Sequence, residues 1–147
     1  LEIFTLMKEK GVALCPTLAA GDAIEQYNGW NKLTGKEPER ITEKKESFKL
    51  ALQAGVDIVF GGDVGVFTHG ENSRELELMV AYGMTSLASL QAATSGNARI
   101  FHLKNLGEVK KDFLADIIAI DGNPLEDISK MKDVKFVMKN GAIYKNE

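Results

Sequence analysis

Leu1, Phe4, Leu6 and Met7 interleave with Glu2, Lys8, Glu9 and Lys10, a spacing that predicts an amphipathic helix over residues 1–10, stopped by Gly11. The apolar run at residues 12–18 then reads as a short buried strand with Pro16 near its end. Residues 19–40 carry Gly21, Asn28, Gly29, Asn31, Gly35 and Pro38 around Tyr27 and Trp30, which predicts a long loop with at most a broken helical turn. Loops of that length in compact domains usually serve as lids or binding loops. The pattern then repeats. Ile41, Phe48, Ala51, Leu52 and Ala54 alternate with Glu43, Lys44, Lys45, Glu46 and Lys49, a surface helix ended by Gly55. The run Val56-Asp57-Ile58-Val59-Phe60 follows as a second buried strand.

Beyond it the pattern predicts a loop over residues 61–70, a helix over 72–82 and a further helix N-capped by Thr85, continuing towards Ser95-Gly96 with another turn over 97–103. After Gly107 the period changes from helix to strand. Residues 114–120 and 134–138 are strand-like, and Val134, Phe136 and Met138 alternate with Lys135 and Lys139, placing Phe136 and Met138 on a buried face. Asn140-Gly141 is a two-residue hairpin signal, because both central residues of such a turn need positive φ. It predicts that residues 142–144 pair back on 134–138.

Composition changes this picture little: 147 residues, 44% hydrophobic, 27% charged, formal net charge -3. A pI near 5.5 and lysines alternating with glutamates give no basic patch, so nucleic acid is not expected as a partner. No apolar run approaches the roughly 20 residues of a membrane helix, so no membrane is expected either. The chain starts at Leu1 without an initiator methionine or a cap for its first helix, and is expected to be the C-terminal part of a longer protein. An export signal upstream is therefore left open. The single Cys15 excludes an internal disulfide framework and leans towards a reducing, cytoplasmic compartment. Lying between Leu14 and Pro16, it is expected to be buried packing rather than a nucleophile.

Candidate chemistry concentrates where the second strand breaks into Gly61-Gly62 and presents Asp63. Glycines there free the backbone for close approach, and the next side chain sits at the strand mouth, where parallel barrels keep their chemistry. Asp63 should lie at the strand's C-terminal end with its carboxylate open to a cavity. A turn aspartate bonding its own loop is the competing structural reading. His69, six positions on in the same loop, is the candidate for substrate contact. His102 near a helix end is expected to be structural or solvated, while Glu71 and Asn72 suit either loop contacts or capping of the next helix. Neither histidine has the spacing of a complete metal site.

Gly61-Gly62-Asp63-Val64-Gly65-Val66-Phe67-Thr68-His69-Gly70-Glu71-Asn72, then Arg74-Glu75-Leu76-Glu77-Leu78-Met79-Val80 and Gly83-Met84-Thr85, resembles the metal-dependent amidohydrolase superfamily around its last barrel strand. The resemblance extends through Ala92-Ala93-Thr94, Asn97-Ala98-Arg99, Leu106-Gly107-Glu108-Val109 and Leu114-Ala115-Asp116-Ile117-Ile118-Ala119-Ile120-Asp121-Gly122-Asn123-Pro124-Leu125 to the segment 134–144. It looks closest to the imidazolonepropionase-like and Xaa-Pro dipeptidase-like branch. One departure is Asp112, which stands where the family usually has glycine, so that turn is expected to be strained or differently shaped.

The resemblance implies an α/β fold: residues 1–105 as the last strands and helices of a (β/α)8 TIM-like barrel, and residues 106–147 as the C-terminal strands of a small β-sandwich. It implies one or two divalent metal ions, usually zinc, held by an HxH pair, a carboxylated lysine or glutamate, two further histidines and an aspartate. Asp63 matches only that aspartate, as metal ligand and as the general base, then acid, of C–N hydrolysis. His69 matches a loop histidine near the substrate, which would be a small amide, cyclic amide or dipeptide. With the other ligands absent, the isolated chain is expected to be inactive and to need its upstream barrel segment or self-associate, and a homo-oligomer is left open. The alternative is a structural fragment of the same fold that binds no metal. A small α/β binding module is disfavoured by the lack of GxGxxG or a P-loop lysine.

Overall fold

The computed structural model describes residues 1–147. Helix α1 (Glu2–Glu9) forms as its periodicity predicts and ends at Gly11, whose φ of +64° takes the chain out of the helix. The two apolar runs that follow the first and third helices lie side by side and parallel, bridged at Leu14 and Ile58. Leu14 donates its N–H to the Asp57 carbonyl at 2.8 Å, and Val59 donates to the Leu14 carbonyl at 3.0 Å. The pairing is a single bridge rather than the full strands expected, because Leu18 already starts a helix and Phe60 is held from its other side by a side chain.

That helix, α2 (Leu18–Tyr27), corrects the long-loop expectation for residues 19–40. Its signal was masked by Gly21 and by Thr17, a cap residue at φ +45° whose side chain makes no cap bond. Gly21 is small for a packing reason: a Cβ there would lie 3.2 Å from the Lys44 side chain. Helix α3 (Glu39–Ala54) ends at Gly55 with φ +72°, as its sequence predicts. Helices α4 (Ser73–Ala81) and α5 (Ser86–Gln91) follow, and Thr85 Oγ1 accepts the Ala88 N–H at 3.1 Å to cap α5. A π turn over Ala92–Gly96 leads into α6 (Asn97–Ile100). The core sits between α2, α3 and α4: Leu18, Ala19, Ala23, Ile41, Phe48, Leu78, Met79 and Tyr82, with Phe67 and Ala92 joining from either side. No helix is long and apolar enough to cross a membrane.

The C-terminal part is a three-stranded antiparallel sheet in the order β1 (Ile117–Ile120), β2 (Val134–Lys139), β3 (Ala142–Asn146), with a 3₁₀ turn at Ile128–Lys132 before β2. The predicted hairpin is present: Lys139 faces Ala142 across Asn140 (φ +48°) and Gly141 (φ +79°). Asp116 fixes the turn by accepting the Asn140 N–H at 2.7 Å and the Lys139 ammonium. Phe136 and Met138 are half-buried, not buried, since the sheet packs over only part of its surface. Asp112 does adopt the left-handed region, at φ +68°, that glycine would take more easily. Replacing Gly141 by Val should lower stability by about 1 kcal/mol or more, because a β-branched residue is strained at that φ. Thermal melting measures it, and an unchanged Tm would separate the turn from folding.

Candidate active site

The site is built from the ends of the two parallel segments. Phe60 is the last residue of the second, and its backbone is held at both groups by one side chain: Asn97 Oδ1 accepts the Phe60 N–H and Asn97 Nδ2 donates to the Phe60 carbonyl, each at 2.9 Å. Gly61 then passes Cys15 so closely that a Cβ would sit 2.7 Å from its Sγ, and a Cβ on Gly62 would sit 3.1 Å from the Phe67 ring. These contacts give the two glycines a reason beyond flexibility. Asp63 follows at φ +58° with an exposed side chain, and its carbonyl accepts the Val66 N–H at 3.3 Å in a turn.

Asp63 thus stands after the parallel-paired segment, as expected, but on an open face. None of the five principal cavities is lined by Asp63 or His69, so the expected cavity at the carboxylate is not among them. The Asp63 carboxylate is free of the ion pairs that occupy Asp22, Asp57 and Asp116. His69 is exposed in the same excursion between strand and α4, and no hydrogen bond joins it to Asp63. Asn72 stands at the N-cap of α4, where its carbonyl accepts the Glu75 N–H at 3.2 Å but its side chain makes no cap bond. His102 sits at φ +55° just past α6, exposed.

Cys15 is exposed rather than buried. Strand alternation turns it away from Pro16, which is buried, and towards the Gly61 carbonyl, 3.6 Å from its Sγ. Partial burial of the sulfur on that side, with the Glu75 and Asp63 carboxylates near, pushes its pKa up, away from the activation a nucleophilic thiol needs.

Beneath the site lies a feature the sequence reading missed. Glu75, on the first turn of α4, is completely buried and accepts the Leu18 and Ala19 N–H groups at 2.9 and 2.6 Å. It thereby caps α2 in place of Thr17 and ties the loop after the second parallel segment to the loop after the first. Lys44 reaches in from α3 to donate to the Thr17 and Pro16 carbonyls at 2.8 and 3.3 Å. Burial raises the Glu75 pKa against the lowering effect of its two N–H donors and Lys44, and burial lowers that of Lys44. The available signal was an acid aligned at i+3 and i+4 with the buried Leu78 and Met79 on α4's inner face.

A second network runs along the outer side. Asp22 of α2 is buried and receives Lys32 and Gln26, with Arg74 Nε at 3.8 Å. Arg74 pairs with Glu77 at 2.7 Å, and Glu77 with Lys132 of the 3₁₀ turn at 2.6 Å. No group of three or more His, Cys, Asp or Glu side chains is arranged to hold a metal ion. Asp63 offers one ligand where catalytic zinc takes three from the protein, so these residues alone do not make a metal centre.

Comparison with known proteins agrees with this architecture. The ochratoxinase of Aspergillus niger is 32% identical over 98% of this chain, which spans about a third (32%) of that protein's length. A Xaa-Pro dipeptidase crystallised with methionine in its active site superposes with a TM-score of 0.85 at 35% identity, over 99% of this chain and 37% of the other. The A. niger ochratoxinase crystal structure gives a TM-score of 0.80 at 29% identity, over 99% and 35%. The Amidohydrolase family profile matches residues 1–144, and with the α/β fold and the relatives in agreement, the chain belongs to the Amidohydrolase family.

Proposed function

We propose that the full-length protein hydrolyses a C–N bond in a small amide, cyclic amide or dipeptide, with Asp63 as the proton-transferring carboxylate and His69 as a substrate contact. The observation that carries this is Asp63 itself: exposed, unpaired, and set by two closely packed glycines at the end of a parallel-paired segment, in a chain matched by the family along almost its whole length. The ochratoxinase and Xaa-Pro dipeptidase likenesses support a substrate of this class. In this reading residues 1–105 belong to a (β/α)8 barrel and residues 106–147 to a β-sandwich, and other parts of the protein complete the site.

A free carboxylate suits the task. It accepts a proton as water attacks the carbonyl carbon and returns it to the leaving nitrogen, so that an amine and a carboxylic acid depart. One or two divalent metal ions, zinc by the resemblance, would lower the pKa of the attacking water to about 7, with ligands beyond Asp63 supplied from outside this chain. The open face at Asp63 leaves room for those partners. Cys15, with its raised pKa, is left outside the proton transfer.

The test is metal analysis of the purified full-length protein, with turnover of Xaa-Pro dipeptides and N-acyl amino acids before and after chelation. Stoichiometric metal and chelator-sensitive hydrolysis are expected. A metal-free, inactive protein would establish the alternative, a fold kept without catalysis. His69→Ala should raise KM about tenfold while kcat changes less, as loss of a contact made equally to substrate and transition state does. Initial-rate kinetics decide it, and an unchanged KM would remove His69 from the substrate's surroundings.

A further inference from the structure

We propose that Asn97 is the positioning residue for Asp63. The inference rests on the reading of Asp63 as the proton acceptor and adds the device that holds it in place. Asn97 treats Phe60 as a neighbouring strand would: one side-chain amide satisfies both the N–H and the carbonyl of that residue, each at 2.9 Å. Phe60 is three residues before Asp63, and only Gly61 and Gly62 intervene. Two glycines are the loosest backbone available. Here they are pressed against Cys15 and the Phe67 ring, so a position fixed at Phe60 is carried on to Asp63, and Asn97 fixes it there.

The helix that carries Asn97 is shaped for this. The π turn Ala92–Gly96 ends immediately before it and shifts the phase of every later side chain relative to α5. Gly96 closes that turn, where a Cβ would stand 2.8 Å from the Gln91 carbonyl oxygen, so the irregularity is held by a residue that only glycine suits. The same short helix carries Arg99, which grips Asp57 with two hydrogen bonds of 2.8 and 3.1 Å at the opposite end of the segment. Two side chains of one turn thus hold the segment at its beginning and its end, and the end belongs to Asn97.

The experiment uses the full-length protein with three variants, Asn97→Ala, Arg99→Gln and Asp63→Asn, reading kcat, KM and amide hydrogen exchange at Phe60. Asn97→Ala should lower kcat about tenfold to a hundredfold, the penalty of a small misplacement of a reacting group, with KM within about twofold. Exchange at Phe60 should accelerate in the same variant. Arg99→Gln removes only an exposed ion pair at the far end of the segment, six residues from Asp63, and should change neither. Wild-type kcat in Asn97→Ala, unchanged exchange at Phe60, or an equal kcat loss in Arg99→Gln would each overturn the proposal. Wild-type turnover by Asp63→Asn would mark a different failure, that of Asp63 as proton acceptor, even where Phe60 still answers to Asn97.

Discussion

Asp63→Asn in the full-length protein should reduce kcat by about three orders of magnitude or more and leave the fold unchanged, because the attacking water loses its proton acceptor. The fold should survive for a reason visible at the residue. Asp63 is exposed, its carboxylate pairs with no cation, and the turn it occupies is closed by its backbone carbonyl to Val66. Asparagine also tolerates the left-handed φ of +58° that the position demands. Steady-state kinetics beside a thermal melt make the check, and near-wild-type turnover in a folded variant would remove the proposed role.

Glu75→Ala should have the opposite profile: a large loss of stability. It strands the Leu18 and Ala19 N–H groups in a fully buried setting and takes away the charge facing Lys44, together about 2–4 kcal/mol. Glu75→Gln keeps an acceptor oxygen and should lose less. The pH dependence separates charge from shape. Burial raises the Glu75 pKa above its unfolded value of 4.5, so the folded protein holds this proton more tightly than the unfolded chain. The stability from that difference is fully present below about pH 4.5 and is lost as pH rises through the folded pKa. Denaturation of wild type and Glu75→Gln at several pH values upwards from 4.5 should show a downward slope in the wild type that the variant lacks. Parallel curves would mean that folding does not raise the pKa of Glu75.

What the sequence made legible was whatever is settled locally. Gly55 at the end of α3, Thr85 at the start of α5 and Asn140-Gly141 in the hairpin each follow from the φ or the hydrogen bond that one residue supplies. Asp63 was legible as a candidate because two glycines after an apolar run have few other uses. What stayed hidden depends on distant partners. Helix α2 has no cap of its own and contains Gly21, so it reads as loop until Glu75, 57 residues after Leu18, caps it. The Asn97 clamp spans 37 residues and leaves no periodic trace. Cys15 was misread because its apolar neighbours suggest burial, whereas alternation sends it to the opposite, open face.

The N-terminal half of α4 carries two carboxylates with different partners. Glu75 holds α2 beneath Asp63, and Glu77, itself largely buried, reaches through Lys132 to the turn that launches β2. The sheet, far from the proposed chemistry in the chain, is therefore joined to it by one turn of helix. Loss of Lys132 would therefore be felt first at the N-terminal half of α4, two residues from the carboxylate that holds α2.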